Sequence, residues 1–281
     1  MSIPIISIVI PCYNHGQYID EAIKSVEESE SDIYEIIIIN DGSTDDLTNK
    51  RLIELKNNGY HVVFQENQGL CKSRNNGIRL SRGKYILPLD ADNKITPELI
   101  SLSIKILNSD PLVSIVYSDR QNFGESCDLV DVGRFNLALL LKENYIDACA
   151  VYRKSVWEEI GGYDEKMPAQ GFEDWEFWIS AAEKNFKFYY IPKPLFYYRV
   201  LGNSMARTME KNPKFNSLLE YIYKKHSLIM NEKFINEIFE LKDEVNRLQL
   251  EIKKSRNSKA YLLGKFLLSP FRLLRIGKNN S

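Results

Sequence analysis

An alternation constrains this chain more than any other feature. Through residue 117, short apolar runs take turns with stretches whose apolar residues recur at helical spacing. Residues 5–10 (IISIVI) are apolar on both faces, as in a strand buried within a parallel sheet. Tyr18, Ile19, Ala22, Ile23 and Val26 follow at helical spacing. Residues 34–39 predict a second strand, 47–55 a second helix, 62–64 a third strand and 69–80 a third helix. Residues 85–89 predict a fourth strand and 113–117 a fifth. Between them Thr96-Pro97-Glu98 reads as an N-cap with proline at the first helical position, opening a helix that reaches about Asn108. This order predicts an α/β fold with a mostly parallel central sheet flanked by helices. Ligands on such sheets bind at the carboxyl ends of the strands.

Three polar clusters fall at those ends: Pro11-Cys12-Tyr13-Asn14, Asn40-Asp41-Gly42-Ser43, and Asp90-Ala91-Asp92-Asn93. Residues at i and i+2 on a strand share a face, so Asp90 and Asp92 can aim at one point. Paired hard oxygens there suit Mg²⁺ or Mn²⁺ carrying a phosphate-bearing ligand. An isolated Asp-x-Asp is more often a solvated turn, and the convergence of three clusters is what favours the metal. There is no GxGxxG and no GxxxxGK[ST], which disfavours a dinucleotide site of the Rossmann kind and a P-loop.

The 281 residues allow one large domain plus an appendage. A formal net charge of -1 gives no electrostatic footing for nucleic acid. The balance is uneven, because no acid follows Glu251 while Lys253, Lys254, Arg256, Lys259, Lys265, Arg272, Arg275 and Lys278 do. Cys12, Cys71, Cys127 and Cys149 are scattered without metal spacing and read as buried residues of a reducing cytoplasm. The apolar start, Ile3 to Ile10, has no basic residue before it and reads as a strand, not a signal peptide. No uninterrupted apolar run is long enough for a simple transmembrane helix.

Beyond residue 118 the pattern loosens. Residues 119–145 read as polar loop, 148–152 as a strand, and 155–160 as a short helix stopped by Gly161-Gly162. Residues 173–184 predict a helix, with Trp178 in the core, and 186–191 a strand ended by Pro192. Glu173 and Asp174 open that helix, where acids favour the N-terminal dipole and need no further role.

Taken together, SIVIPCYNHGQYIDEAIKSV, INDGSTDD, ENQGLCKSRNNGI, YILPLDADN, GGYDE and FEDWEFW resemble the family-2 inverting glycosyltransferases of the GT-A fold, over residues 5 to about 205. The resemblance implies a nucleotide-sugar-binding fold, a UDP- or dTDP-sugar donor, a divalent cation (Mn²⁺ or Mg²⁺) and inversion at the anomeric carbon. It places Pro11, Tyr13 and Asn14 around the base and ribose, with Tyr13 able to stack on the base. It gives Asp41 the N3–H of uracil or thymine, although an Asx turn at the same place is a plain alternative. Gly42 and Ser43 would let backbone approach the donor, and Arg74 would face the base and phosphates where an ordinary helical arginine is solvated. Asp90 would hold the ribose, Ala91 would line the donor site, and Asp92 would ligate the metal. The family's usual form has an acid after the second Asp, where this chain has Asn93. Asp174 would be the general base, with Glu173 and Trp175 on the acceptor side. The family often has His where this chain has Leu201, which removes a possible ligand and leaves Arg199 as a candidate phosphate contact. The implied acceptor is a hydroxyl of a glycan or lipid-linked saccharide in bacterial surface-polysaccharide assembly. Two rivals are a non-catalytic nucleotide-sugar-binding scaffold and a sugar-1-phosphate nucleotidylyltransferase. The latter needs a glycine-rich basic loop, and PCYNHGQY has one Gly and no Lys or Arg.

Phe234, Ile238, Leu241, Val245, Leu248 and Ile252 are spaced as an a/d seam and predict a homo-oligomer through 234–252. Residues 259–278 are basic and amphipathic, suited to an anionic membrane surface or, alternatively, to a partner protein. The expected organisation is a GT-A domain over 1–210, a helical extension over 211–257 and a basic tail over 258–281. The expected setting is cytoplasmic and peripheral on the inner face of the cytoplasmic membrane.

Overall fold

The computed structural model describes residues 4–29, 34–202, 213–256 and 263. The chain divides into two compact units, Met1–His226 and Ser227–Ser281.

In the first unit the strands are β1 (Ile6–Cys12), β2 (Tyr34–Asp41), β3 (His61–Gln65), β4 (Tyr85–Pro88), β5 (Lys94–Ile95), β6 (Val113–Gly124), β7 (Leu129–Val130), β8 (Val151–Arg153) and β9 (Lys187–Val200). Its helices are α1 (Ile19–Glu27), α2 (Asp46–Asn57), α3 (Leu70–Leu80), α4 (Pro97–Ser109), α5 (Leu137–Leu140), α6 (Lys154–Ile160), α7 (Glu173–Glu183) and α8 (Phe215–Lys225). One sheet runs β3-β2-β1-β4-β8-β6-β9-β5, with β7 paired on β6. β1 to β4, β6 and β9 share a direction, and β5, β7 and β8 run against them. The sheet is therefore mostly parallel, with antiparallel strands confined to its second half.

β1 is central and wholly buried, paired in parallel with β2 on one side and β4 on the other. Ile8 and Ile10 face Ile19, Ile23, Leu99 and Ile100 on one side of the sheet. α3 covers the other side. It comes close because Gly77 has no side chain, since a Cβ there would collide with Cγ1 of Val9. Full burial of each such side chain is worth about 1.5–3 kcal/mol.

The second half departs from the sequence reading in three places. β6 continues to Gly124, and β7 and α5 interrupt the expected loop over 119–145. β9 does not stop at Pro192, because a bulge absorbs both prolines: Ser118 pairs with Ile191 and Asp119 with Pro194. α8, expected in the extension, lies within the first unit. Its Leu218 and Ile222 are buried, Phe215 meets Phe172, and Tyr223 meets Trp175.

In the second unit the structure describes the helix α9 (Ser227–Arg256). Among the described residues no helix is long and apolar enough to cross a membrane. The basic tail, apart from residue 263, lies outside the described residues.

Candidate active site

The strand ends bring the three polar clusters to one rim. β1 and β2 finish in register, Pro11 opposite Ile39 and Cys12 opposite Asn40. Asn14, in the left-handed region at φ 57°, accepts the Thr44 N–H at 2.8 Å and donates to the Thr44 hydroxyl at 3.1 Å. Its own N–H donates to the Ser43 hydroxyl at 3.1 Å, so Asn14 and Ser43 staple the first two loops together. Tyr13 is 45 % exposed beside them. The Asx turn of NDGS belongs to Asn40, whose Oδ1 accepts the Ser43 N–H at 2.9 Å. Asp41 does something else. It accepts the Gln68 N–H at 2.8 Å, the Gly69 N–H at 2.9 Å and the Gln65 side-chain amide at 2.7 Å. It thereby closes the loop ahead of α3. Gly42 is required there: its φ is +66°, and a Cβ would sit 2.5 Å from the Asn67 nitrogen.

Residues 90–93 form a tight turn, with the Asn93 N–H donating to the Asp90 carbonyl at 3.0 Å. Asn93 is buried, and its Oδ1 accepts the Arg199 N–H at 2.8 Å. The third position of this motif therefore points inward, where it needs an acceptor and not a charge. Arg199 donates through Nε to the Asp92 carbonyl at 2.9 Å and pairs with Glu21 at 3.1 Å. Its guanidinium lies between the rings of Tyr18 and Phe123, 4.4 and 4.3 Å from their centroids. Arg199 is thus committed to bracing the 92–93 turn. β5, which follows, pairs Lys94 with Tyr197 and Ile95 with Phe196, tying the turn to β9 a second time.

Arg74 is 2 % exposed and bonds Asp90 at 2.7 Å, stacked 5.5 Å from the Tyr163 ring. Burial opposes its charge, yet Asp90 and then Tyr163, Glu173 and Asp174 hold its pKa above the ordinary value. It is a buried cation that acts on Asp90, just past β4, and on Glu173 and Asp174 at the start of α7. Burial, and then Asp90, push the Asp92 carboxyl up to about 6. Ala91, between the two acids, is buried.

At the start of α7, Oδ1 of Asp174 accepts the Asn144 side-chain amide at 2.9 Å and the Trp175 N–H at 2.8 Å. No described residue donates to its Oδ2. Burial pushes this carboxyl up to about 6, with Arg74 pulling down and Glu173 pushing further up. Glu173 is buried and turned back to accept the Gly171 N–H at 2.8 Å. Trp175 is a correction to the acceptor-side expectation. It is 2 % exposed, its indole N–H is taken by the Leu140 carbonyl, and it braces α7 from beneath. Trp178 is in the core, as expected.

Two residues on the segment before β8 escaped the sequence reading. Asn144 orients Asp174. Asp147, 3.6 Å from Arg120, is pushed up to about 6 by burial, against Arg120 and with help from Asp174 and Asp90. Asp147 left a usable signal, a lone acid inside the apolar run over 145–152. Asn144 left none.

The residues present suit a divalent cation that shares its shell with a ligand. Asp92 is a partly buried carboxylate whose pKa is raised first by burial and then by Asp90, and a cation would relieve both. Among the described residues no three His, Cys, Asp or Glu side chains could hold a metal by themselves. Ions such as Mg²⁺ are commonly held by one or two carboxylates plus phosphate oxygens, so this sparse set fits.

The profile of Glycosyl transferase family 2 matches residues 7–161, more than half of the chain. The chain is 30% identical over 188 residues to a chondroitin synthase of Escherichia coli, covering 64% of this chain and 27% of that protein. It is 27% identical over 206 residues to a hyaluronan synthase of Pasteurella multocida, covering 71% and 21%. The chain thus spans about a quarter of the length of these curated relatives. Among solved structures, S. aureus TarS 1-349 in complex with UDP-GlcNAc superposes with a TM-score of 0.61 at 16% identity, over 77% of this chain and 65% of that one. The same protein in complex with UDP gives 0.58 at 18% identity, over 73% and 62%. The α/β architecture is therefore that of a GT-A-like glycosyltransferase, and the chain belongs to glycosyl transferase family 2.

Proposed function

We propose that this protein transfers a sugar, with inversion, from a UDP- or dTDP-sugar to a hydroxyl of a glycan or lipid-linked saccharide. The observation that carries the reading is the asymmetry of Asp174: two donors hold one carboxylate oxygen, and no described residue donates to the other. A carboxylate so fixed, with a raised pKa, is shaped to take a proton. Oδ2 of Asp174 takes the acceptor hydroxyl's proton as that oxygen attacks the anomeric carbon. The carbon–oxygen bond to the diphosphate breaks on the opposite side, and the diphosphate leaves with the bonding pair. Attack opposite the leaving group inverts the centre.

Asp92 would hold Mn²⁺ or Mg²⁺ together with the donor's diphosphate, and the cation would neutralise the leaving group's charge. Asp90, aligned by Arg74, serves the ribose, and Ala91 lines the same stretch. Tyr13 offers a ring to the base, flanked by Pro11 and Asn14, and Asp41 serves the base edge past Gly42 and Ser43. Arg199 acts on the phosphates through the 92–93 turn that it braces. Support for a uracil donor comes from the UDP and UDP-GlcNAc complexes of TarS, and support for a glycan acceptor from the chondroitin and hyaluronan synthases. The basic composition of 259–278 supports attachment at the inner membrane surface, where a lipid-linked acceptor resides.

A thermal-shift panel of nucleotide sugars, with Mn²⁺ and without, tests donor and cation together. UDP- or dTDP-sugars at about 100 times Kd should stabilise by about 2.7 kcal/mol, and only with the cation. Stabilisation indifferent to Mn²⁺ would remove the role of Asp92, and a preference for purine nucleotide sugars would remove that of Asp41.

A further inference from the structure

α9 is one continuous helix of 30 residues. Phe234, Ile238, Leu241, Val245, Leu248 and Ile252 are all exposed on it, by 45–65 % each. An apolar stripe this long on a surface marks an interface. The identity of its residues says which one. With Phe234, Leu241 and Leu248 at d, the a positions are Asn231, Ile238, Val245 and Ile252. β-branched residues at a with Leu at d favour two parallel strands, and a single Asn at a fixes register and strand number.

The flanking charges give the orientation. The g positions are Glu237, Glu244 and Glu251, and the e positions from the second heptad on are Lys242, Gln249 and Arg256. In a parallel pair each g residue faces the e residue five positions further on in the partner. That places Glu237 against Lys242 and Glu251 against Arg256, while Glu244, already paired with Arg247 in its own helix, faces the neutral Gln249. An antiparallel pair would set g against g and e against e, acid on acid and base on base.

We propose that α9 is one strand of a parallel, in-register, two-stranded coiled coil formed with a second copy of this chain. The inference does not depend on the proposed reaction. Sedimentation equilibrium on the full chain should give twice the chain mass of 32.6 kDa. Leu241→Lys with Leu248→Lys should give a monomer with an unchanged near-UV spectrum, because both side chains are exposed in the single chain and every tryptophan lies in the first unit. Glu237→Lys with Glu251→Lys should weaken the dimer at least tenfold. Mixing that variant with a Lys242→Glu, Arg256→Glu chain should restore it. On a Cys127→Ser background, Ile252→Cys should cross-link chain to chain on mild oxidation. A wild type that stays monomeric, a dimer indifferent to the seam lysines, a larger assembly, or failure of the 252 cross-link in a proven dimer would each overturn the proposal.

Discussion

Asn144 donates its side-chain amide to Oδ1 of Asp174 at 2.9 Å, from a segment without regular structure onto the first turn of α7. This bond favours the ionised carboxylate, and it fixes which oxygen stays open.

Removing it should move the acid limb of the rate profile. In Asn144→Ala, Asp174 loses a donor to its charged form, so its pKa rises and the ascending limb of kcat/KM shifts to higher pH. Asn144→Asp should shift it further by adding a like charge. Initial rates from pH 5 to 9 check this. A variant that lost rate equally at every pH would mark Asn144 as structural only.

Asp174 also leaves a signature in stability. Its folded pKa, about 6, lies above the usual carboxylate value, so the folded state binds more protons between about pH 4 and 6. Its contribution is therefore fully present below pH 4 and is lost as the pH rises through 6. Asp174→Asn cannot ionise and should gain on the wild type by about 1–2 kcal/mol over that window, discounted for its partly exposed rim. Paired urea melts at pH 4.5 and 7.5 measure the difference, and equal melts at both would contradict the burial of this group.

Arg74 and Asp90 form the ion pair at the floor of the site, with Arg74 almost wholly buried. Arg74→Met should destabilise by about 3 kcal/mol, the low end for breaking a buried pair, since Asp90 keeps some water. Asp90→Asn, which leaves Arg74 with an acceptor, should cost less in melting temperature and as much in donor affinity. Calorimetry with titration of UDP separates the two effects.

Gly42 can be tested by one methyl group. Gly42→Ala must hold φ near +66° and place Cβ against the Asn67 backbone. A loss of about 1–3 kcal/mol is expected, with donor binding weakened because Asp41 and the 67–69 loop move together. A neutral substitution would show that this loop is softer than its hydrogen bonds imply.

How far the sequence announced all this depends on the part of the sheet. β1, β2 and β4 were legible because their residues are buried on both faces and leave unbroken apolar runs. β9 runs past the end that Pro192 predicts, because a bulge in its pairing with β6 accommodates the proline and no local pattern announces it. Asp90, Asp92 and Asp174 stand out in the sequence because they sit in motifs at element boundaries. The inward turn of Asn93, the bracing by Arg199 and the burial of Trp175 depend on partners roughly 35 to 106 positions away, and no local pattern encodes them. Asp41 shows both sides of this: its motif was visible, but its engagement with residues 65–69 was not.

The proposed reaction turns on Asp174 deprotonating the acceptor across a donor site built on Asp90 and Asp92. Single-turnover transfer by Asp174→Asn, measured beside the affinity for donor and Mn²⁺, tests it most directly. Donor affinity should be unchanged and the transfer rate lowered by about 10²–10⁴. Transfer within a factor of a few of the wild type, at equal donor occupancy, would contradict it.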